Sequence, residues 1–148
     1  MPPPTVIDPD ALLCQLAGDP EARLRPGQRE AVDALIEGRR VLLVQRTGWG
    51  KTAVYFLATA LLRAQGRGPT LLVSPLLALM RNQVDAAARM GLSVESLTSE
   101  NSGDWDRIEA ALAAGDVDLL LVSPERLANR RFRRTVLPVL AGNGLLVV

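Results

Sequence analysis

Histidine is missing from all 148 residues, which removes imidazole acid–base chemistry and His-ligated metals. A single cysteine, Cys14, can close no internal disulfide and can belong to no zinc-binding cysteine cluster. It stands beside Leu12, Leu13 and Leu16, where a buried structural thiol is expected. Aromatic residues amount to 3%, so the core must be built from Leu, Val and Ala. No apolar run reaches the roughly 20 residues of a membrane span, and Met1-Pro2-Pro3-Pro4 resembles no signal peptide. A soluble cytoplasmic protein with no membrane partner is therefore expected. Net charge is +1, which by itself selects no class of partner.

The most telling scarcity is lysine. Arginine occurs sixteen times and lysine once, at Lys51. Wherever a generic cation serves, the chain uses Arg; one position demands a compact point charge on a flexible stem. That position closes the stretch Val41-Leu42-Leu43-Val44-Gln45-Arg46-Thr47-Gly48-Trp49-Gly50-Lys51-Thr52. It reads as a strand, a phosphate-cradling loop and a helix N-terminus in succession. Gly48 and Gly50 open backbone angles closed to other residues, so successive N–H groups can converge on an anion. The following helix adds unpaired N–H groups and the positive end of its dipole. Lys51 can reach β/γ-phosphates and the Thr52 hydroxyl can ligate Mg²⁺, which makes both the candidate catalytic residues and Thr52 the candidate metal ligand. Gln45 stands where the full Gly-x4-Gly-Lys-Ser/Thr pattern has its first glycine, so the match rests on Thr47, Gly48, Gly50, Lys51 and Thr52.

The rest of the chain arranges itself around that loop. Residues 1–20 form an N-terminal extension: a proline-rich start, then a short helix capped by Asp8 or Asp10 and ended by Gly18. Pro26 opens a helix with Ala31, Val32, Leu35 and Ile36 on one stripe, closed by Gly38. Thr52–Gln65 is a helix apolar nearly all round, which must be covered by other elements. Pro69–Ser74, Ser93–Leu97, Asp118–Ser123 and Gly144–Val148 read as further strands. Between them come helices over Pro75–Arg89 and Trp105–Ala114 (capped by Ser102 or Asp104), a short helix from Pro124, and one through Val136–Leu140. Strands apolar on both faces and alternating with helices predict βαβ units and a parallel sheet over residues 21–148. Ligands are then expected beyond the carboxyl ends of the strands, where the loop, Ser74-Pro75 and Ser123-Pro124 all fall.

Three further stretches carry a resemblance. Leu24-Arg25-Pro26-Gly27-Gln28-Arg29-Glu30-Ala31 resembles the adenine-reading motif that precedes the phosphate loop in RecQ-type helicases of superfamily 2. Ser74-Pro75-Leu76-Leu77-Ala78-Leu79-Met80-Arg81-Asn82-Gln83-Val84 is similar to their motif Ia. Leu119-Leu120-Leu121-Val122-Ser123-Pro124-Glu125-Arg126-Leu127 is similar to motif Ib. With the phosphate loop, these cover residues 24–148 nearly throughout, in the family's order. The resemblance implies an α/β, RecA-like P-loop NTPase domain that uses ATP and Mg²⁺ to move along and unwind DNA. It implies adenine contacts from Gln28, with Arg25 beside it, and nucleotide contacts from Thr47, Gly48, Trp49, Gly50, Lys51 and Thr52. A DNA track follows at Ser74, Pro75, Arg81, Asn82, Ser123, Glu125 and Arg126.

From spacing alone, Gln28 is equally a solvated helix terminus, and each Ser-Pro pair is better read as an N-cap followed by N1. Arg130-Arg131-Phe132-Arg133-Arg134 is either a solvated helix face or a DNA-backbone contact. Trp49 occupies a position that is usually glycine in the RecQ-type loop. It either covers the nucleotide or marks a divergent branch. The family's Asp-Glu-Ala-His motif would follow Leu145-Leu146-Val147-Val148, so the 148 residues are expected to be an incomplete domain whose partner is the remainder of its own helicase chain. Two other readings compete: a small P-loop phosphotransferase, and a nucleotide-responsive module without turnover.

Overall fold

The computed structural model describes residues 7–75, 81–97, 102–140 and 144–148, with Asn82, Gln83 and Ser102 described by backbone alone. Helix α1 (Pro9–Ala17) begins on Asp8, whose side chain accepts from the Asp10 N–H at 3.1 Å, and ends on Gly18 at φ 67°. Asp10, the other candidate cap, instead accepts from the Leu24 N–H at 3.0 Å and pairs with Arg29 at 3.5 Å. It thereby ties α1 to the entry of α2 (Gln28–Ile36). The Cys14 thiol donates to the carbonyls of Pro20 and Ala22 and is half-buried rather than buried, because this turn covers only one of its sides.

Four strands form one parallel sheet: β1 (Thr70–Val73), β2 (Val94–Leu97), β3 (Leu119–Val122) and β4 (Leu146–Val147), in the order β2-β3-β1-β4. Thr70 through Val73 stand in register with Leu119 through Val122. Successive side chains of a strand leave on opposite faces, and the core divides accordingly. Leu72, Leu119 and Leu121 join a cluster with α1, α2, α3 (Lys51–Ala64) and α4 (Arg81–Arg89). Leu71, Val73, Leu120 and Val122 join another with Trp105, Ile108 and Leu112 of α5 (Trp105–Ala114) and with Phe132 and Val136.

Helix α3 is covered as its composition requires, with Phe56, Leu57 and Ala58 wholly buried. Its one buried polar side chain, Thr59, is matched: Thr59 Oγ1 lies 2.7 Å from Thr70 Oγ1, fixing α3 on β1. Asp118 accepts from Arg63 at 2.7 Å and from the Ser93 N–H at 2.8 Å, which ties α3 to the starts of β2 and β3.

Several elements depart from expectation. A 3-10 turn (Ser102–Asp104) precedes α5, and Asp104 makes no side-chain cap there. Pro124–Ala128 is 3-10, and a π-helical turn at Phe132–Val136 runs into α6 (Leu137–Leu140). Most of the expected motif Ia helix start, 76–80, lies outside the described residues, as do residues 1–6.

The largest departure is Val41–Val44, expected as the strand that delivers the phosphate loop. Residues 39–46 pair with no described strand, and Leu42 and Val44 are 90% and 79% exposed. Apolar β-branched sequence supplies the tendency, but a strand exists only against a partner. A groove of about 460 Å³ separates this segment from β4, floored by Val54 and Tyr55 of α3. The final strand, expected to be buried, is correspondingly an exposed edge at Leu146 and Val148.

Candidate nucleotide site and sheet edge

Gly48 (φ 84°) and Gly50 (φ 99°) bring the chain out of the 39–46 segment and into α3, whose first residue is Lys51. Both angles lie in the left-handed region where a side chain is strained, and a Cβ on Gly50 would also collide with the Gln28 amide. Lys51 Nζ donates to the Gln45 carbonyl. The position that departs from the full loop pattern therefore contributes through its backbone, which any residue can supply. Thr52 Oγ1 lies 3.5 Å from the Tyr55 hydroxyl, one helical turn on. Burial pushes the Tyr55 phenol above its ordinary value, and its hydrogen bond with Thr52 opposes this. Tyr55 was not singled out from sequence, although the i, i+3 spacing from Thr52 was visible there.

The loop is braced from behind. Arg25 Nη1 donates to the carbonyls of Gly48 (3.3 Å) and Trp49 (3.1 Å). Gln28, only 4% exposed, accepts from the Arg25 N–H at 2.7 Å and donates to the carbonyls of Trp49 (3.3 Å) and Gly50 (3.2 Å). Both ends of its amide are thus engaged with the protein. The Trp49 indole is buried in the apolar cluster with Leu12, Leu13 and Ala53 rather than laid open over the loop.

Lys51, Thr52, Ser74 and Pro75 line one groove, so the structure brings the phosphate loop and the end of β1 together. The Ser74 N–H donates to the Val122 carbonyl at 3.0 Å, placing Ser74 beside the end of β3 and Ser123. A second recess of about 520 Å³ is lined by Ser123, Glu125, Arg126, Ala128 and Asn129. Hydrogen bonding, first from its own N–H and next from the Ser123 hydroxyl, holds the Glu125 carboxyl below its ordinary value. The Arg126 guanidinium lies 5.3 Å from the centre of the Trp105 ring, a cation–π contact between residues that sequence spacing does not connect. Arg81 is exposed at the start of α4, and the Asn82 side chain lies outside the described residues.

The basic run separates into two kinds of arginine. Arg131 stacks over Trp105 at 5.1 Å and pairs with Glu109 at 2.7 Å and with Asp106, so its charge is already answered. Glu109, and next Asp106, raise its pKa accordingly, while the Arg131 hydrogen bond leads in lowering that of Glu109. Arg130, Arg133 and Arg134 are exposed and make no ion pair among the described residues.

The loop combines two glycines at positive φ, a helix N-terminus and one lysine, a donor set that suits a triphosphate. For Mg²⁺ the described residues lining the groove offer the hydroxyls of Thr52, Tyr55 and Ser74 and no Asp or Glu. Such a site would take the ion together with phosphate oxygens rather than hold it alone. Among the described residues no group of three or more Asp, Glu, His or Cys could hold a metal ion.

Comparison with known proteins agrees with this arrangement. The DEAD/DEAH box helicase family matches residues 25–148. ATP-dependent DNA helicase Q-like 2 of Arabidopsis thaliana is 38% identical over 115 residues, 75% of this chain and 16% of that protein. ATP-dependent DNA helicase RecQ of Pasteurella multocida (strain Pm70) is 33% identical over 109 residues, covering 73% and 17%. ATP-dependent helicase SGS1 of Saccharomyces cerevisiae is 31% identical over 114 residues, covering 76% and 8%. The chain therefore spans less than a fifth of each of these relatives. Among the described residues no helix is long and apolar enough to cross a membrane. The family match from Arg25 to Val148, over a parallel sheet flanked by helices, makes this chain a member of the DEAD/DEAH box helicase family with RecQ helicases among its relatives.

Proposed function

We propose that this chain is the ATP-binding part, residues 21–148, of a DNA helicase that couples ATP hydrolysis to movement along DNA and strand separation. The observation that carries this reading is the loop 47–52, which delivers Lys51 and Thr52 to the first turn of α3 beside Ser74. Lys51 would exchange the Gln45 carbonyl for the β/γ-phosphate oxygens of Mg·ATP, and the Thr52 hydroxyl would offer an oxygen ligand to the Mg²⁺. Ser74, Pro75, Arg81 and Asn82, with Ser123, Glu125 and Arg126, form the DNA track at the carboxyl ends of β1 and β3. Hydroxyls and backbone N–H groups there grip phosphates without reading sequence. Arg126, steadied on Trp105, is with Arg81 a cation of that track, whereas Arg131 is already neutralised. The remaining parts of the motor come from further segments of a longer polypeptide acting in the cytoplasm.

The lone lysine gives a direct test. Lys51 is the only ε-amine an amine-directed reagent can modify, alongside the α-amino group. Saturating Mg·ATP is expected to protect it, and AMP to leave it reactive, because only the triphosphate supplies the β/γ oxygens. Lys51→Arg is expected to lose binding almost as Lys51→Ala does, since a planar fork does not replace a point charge in the loop. With a folded chain confirmed by circular dichroism, unprotected labelling at saturating Mg·ATP would remove the nucleotide site and the helicase reading with it.

Gln28 allows a second test. Its amide can exchange the loop carbonyls for the donor and acceptor on the adenine edge. Gln28→Ala is expected to weaken both nucleotides by releasing the loop, and ATP clearly more than GTP. Equal losses in a competition assay would leave Gln28 as a brace alone.

A further inference from the structure

We propose that Trp49 is a positioning residue of the nucleotide site: its indole keys the phosphate loop onto the α1–α2 platform and so sets the direction of the loop's N–H groups. This inference rests on the nucleotide-site reading above and goes beyond it.

The side chain is 9% exposed and belongs to the apolar cluster that includes Leu13 of α1, Ala22 and Ala53. It lies against Gly27, where an added Cβ would stand 3.4 Å from the indole Cζ2. Gly27 is the N-cap of α2, so the ring packs at the entry of that helix, in a cluster that also draws on α1 and the start of α3. Seating the indole there brings the loop backbone within reach of Arg25 and Gln28. These two residues hold the carbonyls of Gly48, Trp49 and Gly50 in four hydrogen bonds of 3.1–3.3 Å.

A trans peptide is planar, with its C=O and the following N–H pointing in opposite directions. Three carbonyls turned toward Arg25 and Gln28 therefore turn the N–H groups of Trp49, Gly50 and Lys51 away from them. The Trp49 N–H returns to the Arg46 carbonyl at 3.3 Å, whereas those of Gly50 and Lys51 have no partner among the described residues and are available to an anion. Without the indole, a loop carrying glycines on both sides of residue 49 loses its apolar anchor and is held by hydrogen bonds from Arg25 and Gln28 alone. Its orientation must then be fixed at the moment of binding, at a cost in affinity.

Because the key acts on the phosphate side of the site, it must affect any triphosphate alike. Binding of Mg·ATP and of Mg·tripolyphosphate to the chain is measured by calorimetry for the parent and for Trp49→Ala, Trp49→Phe, Leu112→Ala and Lys51→Ala. Leu112 is buried in the cluster on the other face of the sheet and serves as a destabilised control away from the loop. Trp49→Ala is expected to weaken both ligands by the same factor, about tenfold or more, and Trp49→Phe to recover most of that loss. Leu112→Ala should lower the melting temperature while leaving both affinities as in the parent.

Should Trp49→Ala fail to fold, Trp49→Phe decides: a small equal weakening of both ligands, absent in Leu112→Ala, supports the key. Parent-like affinities in a folded Trp49→Ala, alongside loss in Lys51→Ala, overturn the inference and leave the nucleotide site standing. So does a loss in Leu112→Ala as large as in Trp49→Ala. Weakening of ATP but not tripolyphosphate also overturns it, since the ring would then serve the base. A parent that binds neither ligand overturns both readings.

Discussion

Purified chain supplied with Mg·ATP is expected to bind the nucleotide and release almost no phosphate. Transfer of a phosphoryl group depends on fixed charges that hold the metal, neutralise the transferring oxygens and orient the attacking water. The groove beside Lys51 and Thr52 supplies a lysine, the hydroxyls of Thr52, Tyr55 and Ser74 and a helix N-terminus, but among the described residues no lining Asp or Glu. A cation that neutralises the transferring oxygens is worth on the order of 10³–10⁵ in kcat, and among the described residues lining this groove Lys51 is the one cation. Single-turnover assays with radiolabelled ATP should therefore sit at least about 10³-fold below a complete motor. Turnover at a motor's rate, abolished by Lys51→Ala, would show that residues 1–148 already contain a hydrolytic centre.

The second large effect is expected in the core. Phe56 is fully buried in α3 and belongs to the cluster that packs this helix on Leu72, Leu119 and Leu121. Phe56→Ala leaves a cavity and is expected to cost about 3–5 kcal/mol, much of the whole stability of a domain this size. Because α3 begins at the phosphate loop, nucleotide binding should fall with the folded fraction and return at temperatures where the variant is folded. Chemical denaturation followed by circular dichroism checks this. A midpoint within a few tenths molar of the parent's, about what 1 kcal/mol would give, would mean that α3 is held mainly by something else, such as the Thr59–Thr70 and Arg63–Asp118 links.

Strands β1 and β3 were legible to within a residue because each is a short apolar run closed by Ser-Pro, information carried locally. Helix α3 was legible because an element apolar on nearly every side has to be buried. Val41–Val44 shows where local information ends: the same kind of run lies exposed, because pairing depends on a neighbour that the run does not encode. The candidate site divides in the same way. The glycines, Lys51 and Thr52 announce themselves by spacing, and Tyr55 could have been found by helical periodicity from Thr52. The bonds from Arg25 and Gln28 to the loop carbonyls involve backbone atoms, which leave no trace in residue type. Nor does spacing relate Trp105 to Arg126, which meet only because α5 and the turn after β3 pack on the same face of the sheet.

The groove between residues 41–44 and β4 has a colloidal meaning as well as an architectural one. On each bank, peptide groups can still accept a ladder of hydrogen bonds, and leucine and valine side chains meet solvent between them. Such a trough is sticky toward any extended apolar peptide, its own kind included. A strand lodged there would raise the folded population by mass action, in proportion to the logarithm of its concentration.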